Sequence, residues 1–304
     1  MPKITAAAPF ARLRILDLTR VRAGPTCVKQ FADFGADAIK IESVEPEDLG
    51  GAREGADFQN LHRNKRSITL NLKAPEGKEI FMRLVKTADV VVENYRPDVK
   101  FRLGIDYESM RAVNKRIILA SISGFGQDGP YRDRPGFDQI GQGMSGLMSV
   151  TGFEGQGPVR AGAAVNDITA GLLGALGIMT ALFERETSGE GQWVQSNLLQ
   201  AGLQLLDFQA ARYVMSGEVA KQEGNDHPTN IPTSAYQTAD GHMNVAASGT
   251  AMWKKLAAIL GREDLVAHPD YLDAKLRSKN RKALNAEIEA VMKTKPSKHW
   301  EDQD

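Results

Sequence analysis

Cysteine is nearly absent from this chain, since Cys27 is the only one among 304 residues. A single cysteine excludes an intrachain disulfide, and such scarcity is typical of proteins of the reducing cytoplasm. The 38 basic and 38 acidic residues cancel, so no excess of positive charge indicates nucleic acid or a membrane as a partner. Residues 1–16 lack the uninterrupted apolar segment of a signal peptide. We therefore expect a soluble cytoplasmic protein.

Several motifs that would indicate a particular chemistry are also missing. None of the five histidines belongs to an H-E-x-x-H motif or to a close Cys/His cluster, so we expect no metal site. Neither a G-x-S-x-G turn nor a Walker A motif occurs. After the first predicted strand the chain reads TRVRAGP rather than G-x-G-x-x-G, which argues against a bound NAD or FAD.

Strand and helix patterns alternate along the first 120 residues. LRILDL at 13–18 predicts a buried strand, a helix follows at 25–34, and DAIKIE at 37–42 predicts a second strand. The further predicted elements are strands at 66–72, 89–93 and 116–121 and a helix at 76–87. Because strands that alternate with helices pair in parallel, the expected fold class is α/β, with a Rossmann-like doubly wound parallel sheet.

The last third of the chain predicts a second, smaller α+β domain. A long helix at 195–215 closes the large domain, which we place at 1–217. The small domain at 218–304 is predicted to hold, in order, a polar linker at 218–232, a hairpin around Asp240-Gly241 and helices at 251–260 and 282–292.

One aspartate, Asp167, stands at the head of an apolar run at 170–183. Gly171, Gly174 and Gly177 recur there, and on a helix this spacing makes a stripe of small residues that lets another backbone approach closely. The run is shorter than the roughly 20 apolar residues of a membrane span, so we expect a buried helix. Asp167 could cap that helix, or it could be a nucleophilic carboxylate at its mouth. The local sequence leaves both hypotheses open.

Several stretches, in this order and at this spacing, resemble the family III CoA-transferases. They are LRILDLTRVRAGP, FGADAIKIE, NKRSITLNLKAPEGKE, ADVVVENYRP, RLGIDYE, ILASISGFGQDGP, GFDQIGQGMSGLMSVTG, and VNDITAG followed by GIMTALFERETSGEGQ. That family includes formyl-CoA:oxalate and carnitine CoA-transferases as well as alpha-methylacyl-CoA racemases. The resemblance covers essentially the whole chain, and it implies an enzyme that moves CoA from an acyl-CoA to a carboxylic acid.

The resemblance also implies the site residues. Asp167, in the V-x-D-x-x-x-G segment, matches the nucleophile of the transferases, which form an aspartyl mixed anhydride and then an aspartyl-CoA thioester. Lys73 and Arg102 are suited to the phosphates of CoA. Ser43 stands where some transferases carry an arginine, so one phosphate contact is expected to be missing. The positions that match the family's CoA pocket are Val21, Arg22, Ala23, Ser43, Leu70, Lys73, Asn94, Tyr95, Arg96, Arg102, Leu103, Ser123, Gly124, Phe125 and Gly126.

Two alternative functions stay open beside the transferase. The racemases of the family carry a histidine at the position of Phe137, and phenylalanine cannot exchange a proton, which favours the transferase. Family members continue beyond the position of Asp304, so the second alternative is a non-catalytic CoA-binding fragment with an incomplete small domain. The glycine-run loop of the formyl-CoA enzyme does not occur near 225–232, which argues against formate or oxalate.

The resemblance implies binding partners as well. They are an acyl-CoA and a carboxylic acid, with the CoA thioester as substrate and no permanently bound cofactor. Family members are homodimers whose chains interlock, so we expect the same assembly here.

Overall fold

The computed structural model describes residues 8–44 and 53–303. By their contacts these residues form two compact units, each with an apolar core of its own. The first unit takes the chain up to Met148 and then Arg160–Val219, and the second takes Ser149–Val159 and the chain from Ala220 onward.

The segment Ser149–Val159 is where these units differ from the predicted division, which placed one cut between 217 and 218. Gln222 Nε2 donates hydrogen bonds to the carbonyl oxygens of Thr151, at 2.6 Å, and of Gly157, at 2.7 Å. Because its partners come from the chain after residue 219, the segment belongs to the second unit.

The first unit is built on a six-stranded sheet in which every neighbouring pair is parallel. Its strands are β1 (Arg14–Asp17), β2 (Asp37–Glu42), β3 (Lys65–Thr69), β4 (Val90–Glu93), β5 (Ile118–Ser123) and β6 (Trp193–Asn197). Their order across the sheet is β3-β2-β1-β4-β5-β6. The order reverses between β1 and β4, and doubly wound proteins bind ligands at the carboxyl ends of such strands. The predicted fold class is confirmed.

Helices cover both faces of this sheet. In chain order up to residue 216 they are α1 (Ala23–Asp33), α2 (Ala56–His62), α3 (Pro75–Val85), α4 (Pro97–Leu103), α5 (Tyr107–Arg111), α6 (Asp138–Met144), α7 (Leu147–Val150), α8 (Val165–Ser188), α9 (Leu198–Leu206) and α10 (Phe208–Ser216). On one face Ile15 of β1 packs in the core that includes α1 and α8. On the other face the next residue, Leu16, packs in the core that includes Phe81 of α3. Both faces are therefore buried, which explains the continuous apolar run of β1.

The predicted long helix at 195–215 is wrong. β6 occupies its start and pairs with β5, with Trp193 opposite Leu119. The Asn197 side chain then accepts the N–H of Gln200 at 2.8 Å and caps α9. Asp207, whose φ of 44° is not that of a right-handed helix, separates α9 from α10. The helical spacing of apolar residues runs on across both breaks, so periodicity alone could not locate them.

α8 is the 24-residue helix that carries Asp167, and its inner face is packed closely. A Cβ atom on Gly171 would lie 2.5 Å from the carbonyl oxygen of Ala23, and one on Gly177 would lie 2.6 Å from Val194 Cγ1. The prediction of a buried helix is confirmed for this face. The outer face is also apolar but exposed, and it consists of Ile168, Leu172, Leu176, Met179 and Phe183.

The length of α8 exceeds that of the predicted apolar run. In the described part of the chain it is the one helix long and apolar enough to cross a membrane. A helix in the core of a globular protein meets the same criterion, and the glycine face of α8 is packed against α1 and β6 as a core helix is.

The second unit contains a hairpin and several helices. Strands β7 (Thr233–Gln237) and β8 (His242–Ala246) are antiparallel, which confirms the predicted hairpin. The helices are α11 (Thr250–Ile259), α12 (Ala274–Lys279), α13 (Arg281–Met292) and α14 (Ser297–Glu301), with short 3-10 helices at Glu263–Val266 and Pro269–Tyr271. Their core includes Tyr236, Trp253 and Ile288.

The close contact between α8 and α1 predicts how a substitution at Gly171 acts. Gly171→Ala should lower the melting temperature, because overpacking costs about 1–3 kcal/mol, more than the roughly 0.5–1 kcal/mol that alanine gains over glycine within a helix. Gly143→Ala in α6 is the matched control, since a Cβ atom there would meet only Met148 Sδ at 3.8 Å. Calorimetry that shows equal melting temperatures for the two variants would contradict this packing argument.

Candidate active site

A cavity of about 1600 Å³ opens in the first unit at the carboxyl ends of its central strands. Thr19 lies just beyond β1, Ser43 just beyond β2 and Asn94 just beyond β4, while Ser123 ends β5, and all four line the cavity. All residues that line it belong to the first unit. The cavity therefore lies where the order of the strands reverses.

The structure brings most of the predicted site residues together at this cavity. Phe125 and Gly126 are not among its lining residues: the Phe125 ring packs 5.7 Å from that of Tyr131, and the Gly126 N–H donates to Ser123 Oγ at 3.1 Å. The predicted residues that do line the cavity are Val21, Arg22, Ala23, Ser43, Leu70, Lys73, Asn94, Tyr95, Arg96, Arg102, Leu103, Ser123, Gly124 and Asp167.

Asn94 holds the loop that follows β1. Its Oδ1 accepts the N–H of Arg20 at 2.8 Å, and its Nδ2 donates to the carbonyl of Arg20 at 2.7 Å. The next residue, Val21, has a φ of 61°, an uncommon conformation for a β-branched residue that costs about 1–3 kcal/mol. Asn94 thus acts on the shape of the loop, a role that the sequence did not indicate.

A buried ion pair supports the same loop from below. Lys65 Nζ lies 2.8 Å from Asp17 Oδ2, and Asp17 Oδ1 accepts the N–H of Thr19 at 2.9 Å. Burial opposes ionisation of Asp17, but the charges of Lys65 and Lys40 outweigh it and lower the pKa of Asp17. Lys40 Nζ also donates to the carbonyl of Thr19 at 3.0 Å. The loop therefore rests on groups that are charged and fixed.

The lining of the cavity is strongly cationic. Its only carboxylates in the described chain are Glu42 and Asp167. Its cationic residues are Arg20, Arg22, Lys40, Arg53, Lys73, Lys78, Arg96, Arg102, Arg132 and Arg134. Such a surface suits a ligand with several negative charges, such as phosphates.

Several of these residues were missed by the sequence analysis. Arg53, Arg132 and Arg134 belong to no motif, Lys78 lies in one but was not predicted for the site, and only the chain's path brings these residues to one cavity. His62 also lines it, and burial, with Lys65 and Lys40 nearby, lowers the pKa of its imidazole to about 4. Within residues 8–44 and 53–303, no group of three or more His, Cys, Asp or Glu side chains is placed to hold a metal ion.

Asp167 does not cap α8, so the capping hypothesis is wrong. The helix begins at Val165, and the carboxylate that accepts its first amides comes from Asp138 at the start of α6. Asp138 Oδ1 accepts the N–H of Asn166 at 2.9 Å and that of Asp167 at 3.3 Å. The side chain of Asp167 is thereby left to line the cavity.

The surroundings of Asp167 alter its acidity. Burial and then the negative charge of Asp138 raise the pKa of the Asp167 carboxyl to about 6, while Arg22 acts in the opposite direction. Asp138 is itself held by Gln142 Nε2 at 2.6 Å, and Arg160 Nη2 lies 3.7 Å from it. Asp167 is thus a poorly solvated carboxylate that is largely ionised at neutral pH, as a nucleophile requires.

Two glycines fix the loop that places Asp138. A Cβ atom on Gly124 would lie 2.5 Å from the Cα of Gly136, so the turn after β5 and the start of α6 pack backbone to backbone. Phe137 follows Gly136, lines the same cavity as Asp167 and is 57% exposed. The cavity wall that holds Asp167 therefore also includes an apolar ring.

Comparison with known proteins identifies the same family that the sequence motifs resemble. Residues 10–303 match the family model of CoA-transferase family III. The chain is 38% identical over 290 residues to a succinyl-CoA:mesaconate CoA-transferase of Haloarcula marismortui, covering 91% of this chain and 73% of that protein. It is 39% identical over 309 residues to a succinate–glutarate CoA-transferase of Agrobacterium fabrum, covering 97% and 76%. A CaiB/BaiF family protein of Brucella suis superimposes with a TM-score of 0.82 at 36% identity, covering 97% and 80%.

The pKa of Asp167 can be measured directly by carbon NMR of protein labelled at the aspartate carboxyl carbons. We expect a titration near pH 6 for the signal that Asp167→Asn removes. Asp138→Asn should lower this pKa because it removes a neighbouring negative charge, whereas Arg22→Gln should raise it because it removes a positive one. A midpoint near 4 in the wild type, in Asp138→Asn and in Arg22→Gln would show that the site does not perturb the pKa of Asp167.

Proposed function

Since the chain belongs to CoA-transferase family III and is a CoA-transferase, we propose that it moves CoA from an acyl-CoA to a carboxylic acid through covalent intermediates on Asp167. The observation that supports this most is the position of Asp167. It is a carboxylate, freed from helix capping by Asp138, on the wall of a cavity lined with cationic residues.

The cationic side chains give the CoA moiety its binding site. The phosphates of CoA need several positive partners, and Lys73, Arg96 and Arg102 lie at the cavity beyond β3 and β4. Arg102 is held 3.2 Å from Asp98 on the surface of α4. We propose these three as phosphate contacts, with Ser43 at the wall where a fourth would stand.

The first half of the reaction loads CoA onto the enzyme. A carboxylate oxygen of Asp167 attacks the thioester carbonyl of the donor, the carbon–sulfur bond breaks, and a mixed anhydride and CoA thiolate form. The thiolate then attacks the carbonyl carbon of Asp167, which gives an aspartyl-CoA thioester and releases the donor acid as its carboxylate. The poor solvation that raises the pKa of Asp167 also strengthens it as a nucleophile.

The second half repeats these steps with the acceptor. Its carboxylate attacks the aspartyl carbonyl, CoA thiolate leaves, and the thiolate attacks the acceptor carbonyl of the new anhydride. The products are a new acyl-CoA and free Asp167. Each step exchanges one activated acyl bond for another, so no energy source is consumed. The first amides of α8 are bonded to Asp138, so they are not free to stabilise the oxyanion.

Replacement of Asp167 tests this mechanism. We expect Asp167→Asn to abolish CoA transfer with little change in CoA affinity or melting temperature, because an amide has a similar shape but is a poor nucleophile. With wild-type protein, acyl-CoA and hydroxylamine, mass spectrometry should find a hydroxamate on Asp167. An Asn variant with normal turnover would show that the intermediates form elsewhere.

The racemase alternative requires different catalytic groups in the site. Racemisation needs two groups that exchange protons on opposite sides of the α-carbon, and Phe137, which lines the same cavity as Asp167, cannot be one of them. We therefore expect a 2-methylacyl-CoA to show no deuterium uptake at its α-carbon in D₂O. Fast uptake without transfer to any carboxylic acid would establish the racemase instead.

The interlocked homodimer stays a prediction. It is supported by the outer face of α8, whose exposed apolar residues include Phe183 at 82% exposure. An apolar stripe of this kind is typical of a protein–protein contact.

A further inference from the structure

We propose that Arg134 binds the distal carboxylate of a dicarboxylic acyl group, so that the donor and acceptor acids of this enzyme are dicarboxylic acids. This inference rests on the proposed function, because it assumes that acyl groups are handled at Asp167. It adds the chemical class of the acids and the residue that selects it.

The chain places Arg134 on the wall of the cavity that also holds Asp167. Arg134 precedes by four residues the Asp138 carboxylate that accepts the Asp167 amide, and four residues span at most about 14 Å when fully extended. Phe137 lies between Arg134 and Asp138 along the chain and also lines the cavity. A guanidinium, an apolar ring and the proposed nucleophile thus line one cavity.

The guanidinium of Arg134 is fixed but carries no counter-charge. Its Cζ lies 4.2 Å from the ring centroid of Tyr131, and that ring packs 5.7 Å from the ring of Phe125. The backbone N–H of Arg134 donates to the carbonyl of Tyr131 at 2.9 Å, which fixes the main chain that carries this side chain. No carboxylate within the described ranges lies within ion-pair distance of Arg134. An arginine that is preorganised on an aromatic ring is suited to bind a carboxylate through two parallel hydrogen bonds.

Three other arginines, Arg22, Arg132 and Arg160, differ from Arg134 because each already has an acidic partner. Arg22 lies 2.6 Å from Asp57, Arg132 lies 3.2 Å from Asp133 and Arg160 lies 3.7 Å from Asp138. These pairs leave less of their charge for a ligand. The positive charge of Arg134 is therefore more available to a ligand than the charges of these three arginines.

The negative charges of Asp138 and Asp167 favour a cationic partner for the distal carboxylate of a bound acyl group. Asp138 and Asp167 already place two acidic groups close together, and their repulsion contributes to the raised pKa of Asp167. A second carboxylate on the acyl group would add a third negative charge, which is unfavourable unless a cation faces it. Phe137 offers an apolar surface to the methylene carbons between the two ends of the acid. The two relatives named above carry names that refer to dicarboxylic acids, mesaconate, succinate and glutarate.

A comparison of two acids of equal length tests the proposal. Glutarate and pentanoate both have five carbons, but only glutarate has a distal carboxylate. With succinyl-CoA as the donor, wild-type protein should transfer CoA to glutarate with a kcat/KM at least tenfold higher than to pentanoate. Arg134→Gln should lower kcat/KM for glutarate by about tenfold or more, since it removes a charge-assisted contact. Arg134→Lys should retain part of the preference.

Two control measurements distinguish an Arg134 that binds the distal carboxylate from an Arg134 that binds CoA. CoA affinity from titration calorimetry should be unchanged in Arg134→Gln, and Arg66→Gln, a change on β3 at a residue that does not line the cavity, should behave as wild type. A loss of CoA affinity in Arg134→Gln would make Arg134 a phosphate contact and overturn the inference. A wild-type enzyme that uses both acids equally would overturn the inference alone. An enzyme that transfers CoA to neither acid nor to any other carboxylic acid would refute the proposed function itself.

Discussion

The candidate site depends on one carboxylate that accepts two backbone amides. Asp138, on α6, satisfies the N–H groups of Asn166 and Asp167 at the start of α8. A helix start usually takes such a partner from its own N-cap residue, which here is Ala164 and makes no side-chain bond. Because the capping group comes from elsewhere in the chain, Asp167 keeps a free carboxylate at the end of a helix. The cost is a second negative charge beside it, which Gln142 and Arg160 offset in part.

The loop that follows β1, which also lines the cavity, is fixed by buried charges. Asp17 and Lys65 are both almost fully shielded from solvent, and a buried ion pair contributes little net stability after desolvation. Its value here is positional: Asp17 and Lys40 hold Thr19, and Asn94 holds Arg20. Val21 keeps its unfavourable φ in this setting. A site built on such constrained loops changes shape little when a ligand arrives, so less binding energy is lost to ordering.

The distribution of charge matters more than its sum. The chain has no net formal charge, yet its cavity is lined by ten Lys and Arg residues against two carboxylates among the described residues. A concentrated positive surface attracts an anionic ligand and speeds its arrival. Neutrality of the whole chain therefore says nothing about the charge of the ligand.

The sequence by itself determined the elements whose signals are local. β2 was predicted at its observed limits from the segment DAIKIE, and the hairpin of β7 and β8 followed from Asp240-Gly241. Family motifs likewise indicated Asp167 and most of the cavity wall. β6 was missed, because a strand that pairs with a distant strand can carry a helical spacing of apolar residues. The role of Asp138 could not be found either, since its hydrogen bonds span 28 and 29 residues. The full cationic lining, beyond predicted residues such as Lys73 and Arg102, also came only from tertiary structure, because solvation and charge at a site depend on residues that folding, not sequence order, makes neighbours.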